Sequence, residues 1–127
     1  MGILCGIDII EIDRIRQSME TTGEAFRDRV FTRREIAYCE SKKGARYKSY
    51  AARFAAKEAV AKALGTGISQ GIRWVDIEVL NHDSGKPYVV ISGKAGKIFE
   101  EMGGRHISVS LSHCGDYAVA YAALQTE

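Results

Sequence analysis

The chain has 127 residues, of which 46% are hydrophobic and 27% charged, and its formal net charge is +2. This length predicts one domain over residues 1–127 with a single core, and so mild a charge gives no basis for expecting a nucleic-acid partner. The three scattered cysteines (Cys5, Cys39 and Cys114) have no disulfide or zinc-site spacing, and no stretch approaches the ~20 apolar residues of a membrane span. We therefore expect a cytoplasmic protein that has no contact with a membrane.

The first predicted element is a strand from Ile3 to Ile10, which is apolar apart from Asp8 and which we expect to be buried on both faces. An unpaired carboxylate inside a buried strand is costly. Asp8 must therefore meet a cation, several hydrogen-bond donors or the open end of the sheet. The alternative is that Asp8 lies at an edge position or caps the element that follows.

Helices are predicted next. Apolar residues at helical spacing from Ile12 to Met19 indicate a helix that ends at Gly23. Thr32 and Glu35 have the spacing of a capping box and predict the start of another helix. Six arginines lie in this first third of the chain, a distribution that fits an acidic partner, although a solvated helix face is its ordinary explanation.

Residues 45–64 include eight alanines among twenty positions and predict the longest helix of the chain, with Gly65 closing it in a left-handed conformation. Glu58 and Lys62 are four residues apart and so share one face of this helix. That spacing also stabilises ordinary solvated helices. A carboxylate and an ammonium just before a Gly-Thr-Gly loop would nevertheless suit a metal-bound phosphate, provided that a second carboxylate comes from elsewhere.

The second half of the chain changes character. Residues 74–80 alternate between apolar and polar, and this pattern predicts a half-buried strand with Asp76 and Glu78 on its exposed face. Turn residues from Asn81 to Gly85 precede a second strand at 88–91, and a short helix follows Ser92. Two further strands are predicted at 107–111 and 117–123. Together these elements predict an α+β fold with a mostly antiparallel sheet packed against a long central helix.

Two basic residues of this half could contact an anion. His113 falls in the predicted loop 112–116, where a protonated imidazole could meet a phosphate or could be an ordinary turn histidine. Lys86 lies between Gly85 and Pro87 in a stiff basic turn, which could bind an anion or simply be solvated. There is neither a P-loop nor a dinucleotide fingerprint.

Four segments, in this order along the chain, resemble the holo-[acyl-carrier-protein] synthase family, the short, single-lobe type of 4′-phosphopantetheinyl transferase. They are Gly-Ile-Asp-Ile-Ile-Glu-Ile-Asp-Arg-Ile at 6–15, Arg-Phe-Ala-Ala-Lys-Glu-Ala with the following Lys and Gly-Thr-Gly at 53–67, Asp-Ile-Glu with the following Gly-Lys-Pro at 76–87, and Ile-Ser-Val-Ser-Leu-Ser-His with the following Tyr-Ala at 107–118. The resemblance extends from Ile3 to Ala123 and implies the 4′-phosphopantetheinyl transferase fold.

The resemblance also implies a reaction. The 4′-phosphopantetheine arm of coenzyme A would be moved to a serine of apo-acyl-carrier protein, in support of fatty-acid biosynthesis, with release of 3′,5′-ADP. Asp8 and Glu58 would be the Mg²⁺ ligands, and Lys62 would complete the catalytic set. Longer relatives have a third acid where this chain has Ile10, so we expect water at that position. The serine proton could pass to Glu58, to a metal-bound water or to an acid of the carrier.

Binding residues are implied in the same way. The family is typically a homotrimer with active sites between subunits, and it binds acidic carrier proteins through its first helices. The residues that we expect to bind the carrier are Arg14, Met19, Phe26, Arg27 and Phe54. Those that we expect to bind coenzyme A are Arg46, Arg53, Lys62, Gly65, Thr66, Lys86, Pro87 and His113.

Two other functions are compatible with the residues alone. A non-catalytic module could use its arginine-rich helices to bind an acidic protein or RNA. A different Mg²⁺-dependent nucleotide enzyme could accept ATP in place of coenzyme A. Magnesium-dependent release of 3′,5′-ADP from coenzyme A in the presence of apo-carrier would distinguish the predicted transferase from the binding module, and a test of whether ATP substitutes for coenzyme A would distinguish it from the other enzyme.

Overall fold

The computed structural model describes all 127 residues and contains five strands and five α-helices. Their order along the chain is β1 (Gly2–Glu11), α1 (Ile12–Thr22), α2 (Glu24–Val30), α3 (Arg33–Glu40), α4 (Arg46–Ala63), β2 (Ile77–Asn81), β3 (Pro87–Ile91), α5 (Gly93–Glu101), β4 (Gly104–Cys114) and β5 (Tyr117–Thr126). The strands form two antiparallel sheets, one in the order β1-β5-β4 and the other a β2-β3 hairpin. The predicted α+β fold with a long central helix is confirmed.

Helix α4 lies across the three-stranded sheet and forms the centre of the core. Its alanines are almost fully buried, together with Ala122 and Leu124 of β5. The approach is closest at Gly6 of β1, where a Cβ atom would lie 2.0 Å from the carbonyl oxygen of Ala59. The small side chains of α4 and the glycine of β1 therefore bring the two backbones together, and this packing fixes the position of Asp8 relative to the helix.

The predicted helix boundaries are confirmed. Thr32 and Glu35 form the reciprocal hydrogen bonds of a capping box at the start of α3. Gly23 follows α1 with a φ of 60°, and Gly65 follows the end of α4 with a φ of 86°. No helix has both the length and the apolar character needed to cross a bilayer.

The prediction that β1 is buried on both faces is wrong. Its odd-numbered residues face away from α4, and the side chains of Ile3, Ile7 and Ile9 are 57%, 59% and 64% exposed. Tyr117 and Tyr121 of β5 are exposed as well. Because each of these strands pairs with the other in register, the exposed residues share one sheet face. No element of the chain packs on this apolar surface, which we call the open sheet face.

The predicted strand over 74–80 is correct only in its second half. Trp74–Asp76 form a 3₁₀ turn, and Asp76 is buried, where it accepts a hydrogen bond from the backbone N–H of Arg73. Glu78 is half-buried and accepts hydrogen bonds from Thr32 and Arg34. The interpretation of these two acids as an exposed strand face is therefore wrong, because both are structural hydrogen-bond acceptors.

The predicted loop over 112–116 is shorter than expected. Strand β4 continues to Cys114 and β5 starts at Tyr117, so the connection consists of Gly115 and Asp116 alone. Gly115 has a φ of 59°, as a tight turn between antiparallel strands requires. His113 consequently lies on a strand opposite Ala118, and its position is fixed by the sheet.

Candidate active site

Asp8 lies on the side of β1 that faces α4, and its only salt bridge is with Lys62. The Nζ atom of Lys62 is 2.9 Å from Oδ1 of Asp8 and also donates to the carbonyl oxygen of Ile7 at 3.1 Å. The carboxylate is 16% exposed and the lysine side chain 50% exposed. The carboxylate that looked anomalous in the sequence therefore meets a cation at the edge of the sheet.

Glu58 is one helical turn before Lys62 and lines the same cavity as Asp8. This cavity has a volume of about 310 Å³, and Arg14, Phe26 and Phe54 also line it. Burial raises the pKa of Glu58, and the negative charge of Asp8 raises it further, whereas Lys62 acts in the opposite direction. The sequence-predicted pair of acids, fifty positions apart, is thus brought to one cavity by the packing of β1 on α4.

These two acids fit a hard divalent cation. Burial is the main cause of the raised pKa of Glu58, and the charge of Asp8 adds to it, with only the partly exposed ammonium of Lys62 acting against them. A divalent cation between the two carboxylates would relieve both burial and repulsion, and carboxylate oxygens are the ligands that Mg²⁺ accepts. No cluster of three or more His, Cys, Asp or Glu side chains is present, so the chain would supply only a few of the ligands.

The residues expected to bind the carrier lie at and beside this cavity. Phe26 and Phe54 line it and stack with ring centroids 6.2 Å apart, and Trp74 continues the aromatic row at 4.6 Å from Phe54. Met19 and Arg27 line a neighbouring cavity of about 250 Å³. Arg14 is exposed, and it makes none of the ion pairs that tie Arg16 to Asp13 and Glu20.

A second cavity, of about 360 Å³, contains part of the predicted coenzyme A set. Arg53, Pro87 and His113 line it, together with Lys42 and Lys48. Its lining includes four basic side chains and no carboxylate. We call it the basic cavity. Its electrostatics favour an anionic ligand.

Other members of the coenzyme A set lie elsewhere in the chain. Arg46 lines the cavity of Met19 and Arg27, where it donates to the carbonyl oxygen of Lys43 at 3.1 Å. Lys86 is exposed in the β2–β3 turn next to Pro87. Gly65 and Thr66 lie beyond the far end of α4, twelve residues after Arg53, which corresponds to about 18 Å along a helix axis. One chain therefore does not collect all of these residues around one cavity.

The surroundings of four residues were missed or misread in the sequence. Arg53 and Lys57 share the spacing of a solvated helix pair, yet their exposures are 3% and 0%. Asn81 looked like a turn residue, but it contacts Arg53 and lines the basic cavity. Tyr38 places its ring 4.1 Å from the Arg53 guanidinium. The alanine pairs that directly precede Arg53 and Lys57 were the one available signal that this face is buried.

Comparisons with known proteins agree over nearly the whole chain. Residues 4–122 match the family model of the 4′-phosphopantetheinyl transferase superfamily. The holo-[acyl-carrier-protein] synthase of Ruminiclostridium cellulolyticum is 56% identical over 124 residues, which are 98% of this chain and 92% of that protein. The crystal structure of the Neisseria meningitidis holo-[acyl-carrier-protein] synthase has a TM-score of 0.86 and 34% identity, and the match covers 97% of this chain and 98% of that one.

The Helicobacter pylori holo-[acyl-carrier-protein] synthase, solved in complex with coenzyme A, has a TM-score of 0.85 and 29% identity. That match covers 96% of this chain and 100% of the other. The fold, the length and the order of elements are thus shared with proteins of one enzymatic class.

Proposed function

The chain belongs to the 4′-phosphopantetheinyl transferase superfamily, as an enzyme of its holo-[acyl-carrier-protein] synthase group, and on that premise we propose its reaction. It transfers the 4′-phosphopantetheine group of coenzyme A to a serine of an apo-acyl-carrier protein and releases 3′,5′-ADP. The reaction depends on Mg²⁺ and supplies carriers for fatty-acid biosynthesis. The observation that carries this proposal is the pairing of Asp8 and Glu58 in one cavity beside Lys62.

Asp8 and Glu58 are the residues that hold the metal ion in this proposal. When bound, Mg²⁺ supplies positive charge that orients the diphosphate of coenzyme A and offsets the charge that develops during phosphoryl transfer. Lys62 adds a second positive charge at the same place, because its ammonium already lies 2.9 Å from Asp8. Positioning and electrostatic stabilisation are the main contributions that a protein makes to this type of reaction.

The basic cavity and the residues near it bind coenzyme A in this proposal. Arg53 and His113 line the cavity and provide positive charge and hydrogen-bond donors for phosphate groups, while Pro87 borders the same space. Lys86 extends from the adjacent turn. Gly65 and Thr66 provide a loop at the other end of α4, where Gly65 has no side chain and nothing lies within 4 Å of the place a Cβ would take, so the backbone is open to a ligand. A role of Arg46 in coenzyme A binding stays a prediction, because this residue lines the cavity of Met19 and Arg27 instead.

The serine substrate approaches from the side of α1 and α2. Arg14, Phe26 and Phe54 line the cavity of the two acids, so a carrier that contacts them would deliver its serine next to the metal site. Met19 and Arg27 extend this surface to the neighbouring cavity. An unpaired arginine at the rim and apolar rings beneath it form a surface suited to an acidic protein.

We further propose that the enzyme is a homotrimer with active sites between subunits. Two observations support this assembly. The open sheet face exposes Ile3, Ile7, Ile9, Tyr117 and Tyr121, and apolar surfaces of this kind mark protein contacts. Among the predicted coenzyme A residues, Arg53 and Gly65 are separated by about 18 Å along the axis of α4. A neighbouring subunit would therefore have to complete the site.

We place the enzyme in the cytoplasm. All three cysteines are free: Cys39 is buried, whereas Cys5 and Cys114 are exposed. Free exposed thiols are ordinary in a reducing compartment and a liability outside it. Carrier-protein modification would take place in the same compartment.

One experiment tests the function. The purified protein is mixed with apo-acyl-carrier protein, coenzyme A and Mg²⁺, and the mass of the carrier is then measured by mass spectrometry. We expect a mass increase of one phosphopantetheine group and stoichiometric 3′,5′-ADP. Chelation of the metal should prevent both, and ATP should not replace coenzyme A. An unmodified carrier with a correctly folded protein would contradict the proposal and favour a binding module.

A further inference from the structure

Arg53 is held rigidly inside the protein. Its side chain is 3% exposed, and its Nη1 atom donates to Oγ of Ser49 at 2.9 Å and to the Ser49 carbonyl at 3.3 Å. The ring of Tyr38 lies 4.1 Å from the guanidinium carbon. The Nη2 atom donates to Oδ1 of Asn81 on β2. Residues from α3, α4 and β2 therefore fix the orientation of one guanidinium.

The charge of Arg53 is not neutralised by these partners. They are a hydroxyl, a carbonyl, an amide and an aromatic ring, and its Nε atom is buried without any hydrogen-bond partner. The other buried cation, Lys57, has the carboxylate of Glu35 at 2.8 Å. A buried charge without a counter-charge is costly. An anionic ligand in the basic cavity would provide the counter-charge that Arg53 lacks.

Asn81 also connects this guanidinium to the β2–β3 turn. Its Nδ2 atom donates to the carbonyl oxygen of Gly85 at 2.8 Å. Gly85 and Pro87 line the basic cavity together with Arg53 and Asn81. A single amide thus accepts from the cation of the cavity and donates to a turn residue that lines the same cavity.

We propose that Asn81 is a positioning residue of the coenzyme A site, and that it must be neutral to act as one. This inference rests on the proposed function. The amide orients both Arg53 and the Gly85 turn. Because it is neutral, it does not neutralise the positive charge of Arg53, on which anion binding depends. An aspartate at this position would have nearly the same shape and would still accept from Arg53, but it would supply the counter-charge itself.

Loss of stability and loss of ligand affinity would follow the same order among variants of a merely structural residue, but not among variants of a positioning residue that must be neutral. Both Asn81→Asp and Asn81→Ala remove the Nδ2 donor to the Gly85 carbonyl. They differ at Arg53, because Asn81→Asp keeps an acceptor and adds a counter-charge, whereas Asn81→Ala leaves Arg53 without that partner. Stability should therefore fall more in Asn81→Ala than in Asn81→Asp. Affinity for the anionic ligand should follow the opposite order, because only Asp neutralises the guanidinium.

The test measures both properties in Asn81→Ala, Asn81→Asp and a control. Binding of 3′,5′-ADP and of coenzyme A is measured by calorimetry, stability by thermal unfolding, and KM and kcat by carrier modification. Asp83→Asn serves as the control, since Asp83 is an exposed residue of the same turn. We expect about tenfold weaker ligand binding in Asn81→Ala, from the loss of one hydrogen bond to a charged group, and about a hundredfold in Asn81→Asp.

In both variants we expect the change in KM for coenzyme A to exceed the change in kcat, and we expect the control to match the wild type. The proposal would be overturned if Asn81→Asp bound 3′,5′-ADP more tightly than Asn81→Ala does, or as tightly as the wild type. Asn81 would then be a structural residue only. Wild-type protein that fails to bind coenzyme A or modify the carrier would instead refute the proposed function, and this inference with it.

Discussion

Lys57 of α4 donates a 2.8 Å hydrogen bond to Glu35 of α3, and both side chains are completely buried. The ammonium also donates to the carbonyl oxygens of Trp74 and Ile77, at 3.1 Å and 2.7 Å. Glu35 in turn accepts from the backbone N–H groups of Thr32 and Val79. Burial lowers the pKa of Lys57, and the negative charge of Glu35 opposes that shift. This pair therefore joins α3, α4 and β2 in the interior of the protein.

Lys57→Met should destabilise the protein by about 3–5 kcal/mol, because it leaves the Glu35 carboxylate buried without its cation. Urea denaturation monitored by circular dichroism measures this free energy of unfolding. Lys48→Met, an exposed position on the same helix, is the control and should change it by less than about 0.5 kcal/mol. The double variant Glu35→Gln, Lys57→Met should recover part of the loss. Equal stability of Lys57→Met and wild type would contradict a buried ion pair.

Lys62→Ala should lower kcat more than it weakens coenzyme A binding. Lys62 lies 2.9 Å from Asp8 and is half exposed, so it can reach a phosphate group whose charge increases during the reaction. We expect a loss of about 10²–10³ in kcat. Steady-state kinetics and calorimetry with coenzyme A separate the two effects, with the exposed Lys97→Ala on α5 as the control. If Lys62→Ala raised KM for coenzyme A and left kcat unchanged, Lys62 would be a binding residue only.

Arg14→Glu should raise KM for the carrier protein and leave KM for coenzyme A unchanged. The arginine lies at the rim of the acid-lined cavity and is exposed, so its role would be electrostatic attraction of an acidic partner. The effect should diminish as salt is added. Arg29→Glu changes the net charge equally at an exposed position of α2 and should have a smaller effect. Equal increases in both KM values would argue against docking at Arg14.

Ile7→Asp should disrupt the proposed trimer. Ile7 is 59% exposed in the single chain and lies opposite Tyr121 on the open sheet face, so a carboxylate there would be buried without a partner if copies assemble. Light scattering after size-exclusion chromatography should give three chains for the wild type and one for the variant. Transfer activity should be lost in parallel. A wild-type monomer with full activity would contradict sites between subunits.

The sequence predicted local features better than non-local ones. The capping box of Thr32 and Glu35 depends on four neighbouring residues, and it is present as expected. The burial of β1 was mispredicted because its apolar odd-numbered residues face outwards, where no other element of the chain packs. Its sequence alone contains no information on which face a helix or another subunit covers.

Adjacent residues on α4 illustrate the same limit. Lys57 is fully buried, whereas Glu58 is half-buried at a cavity, although both follow the same alanine-rich pattern. The helix rotates by about 100° per residue, and only the packing of β1, α3 and β2 determines which direction is enclosed. Asn81 was misread for a related reason, since an amide at the start of a turn is ordinary turn chemistry.

The central claim is that Asp8 and Glu58 hold one divalent cation. It is tested most directly by measuring carrier modification as a function of Mg²⁺ concentration in wild type, Asp8→Ala and Glu58→Ala, with Glu100→Ala, an exposed acid of α5, as the control. We predict that each site variant loses Mg²⁺-dependent transfer while thermal unfolding shows an intact fold, and that the control retains full activity. Full activity of Asp8→Ala or Glu58→Ala at the same Mg²⁺ concentration would contradict the claim.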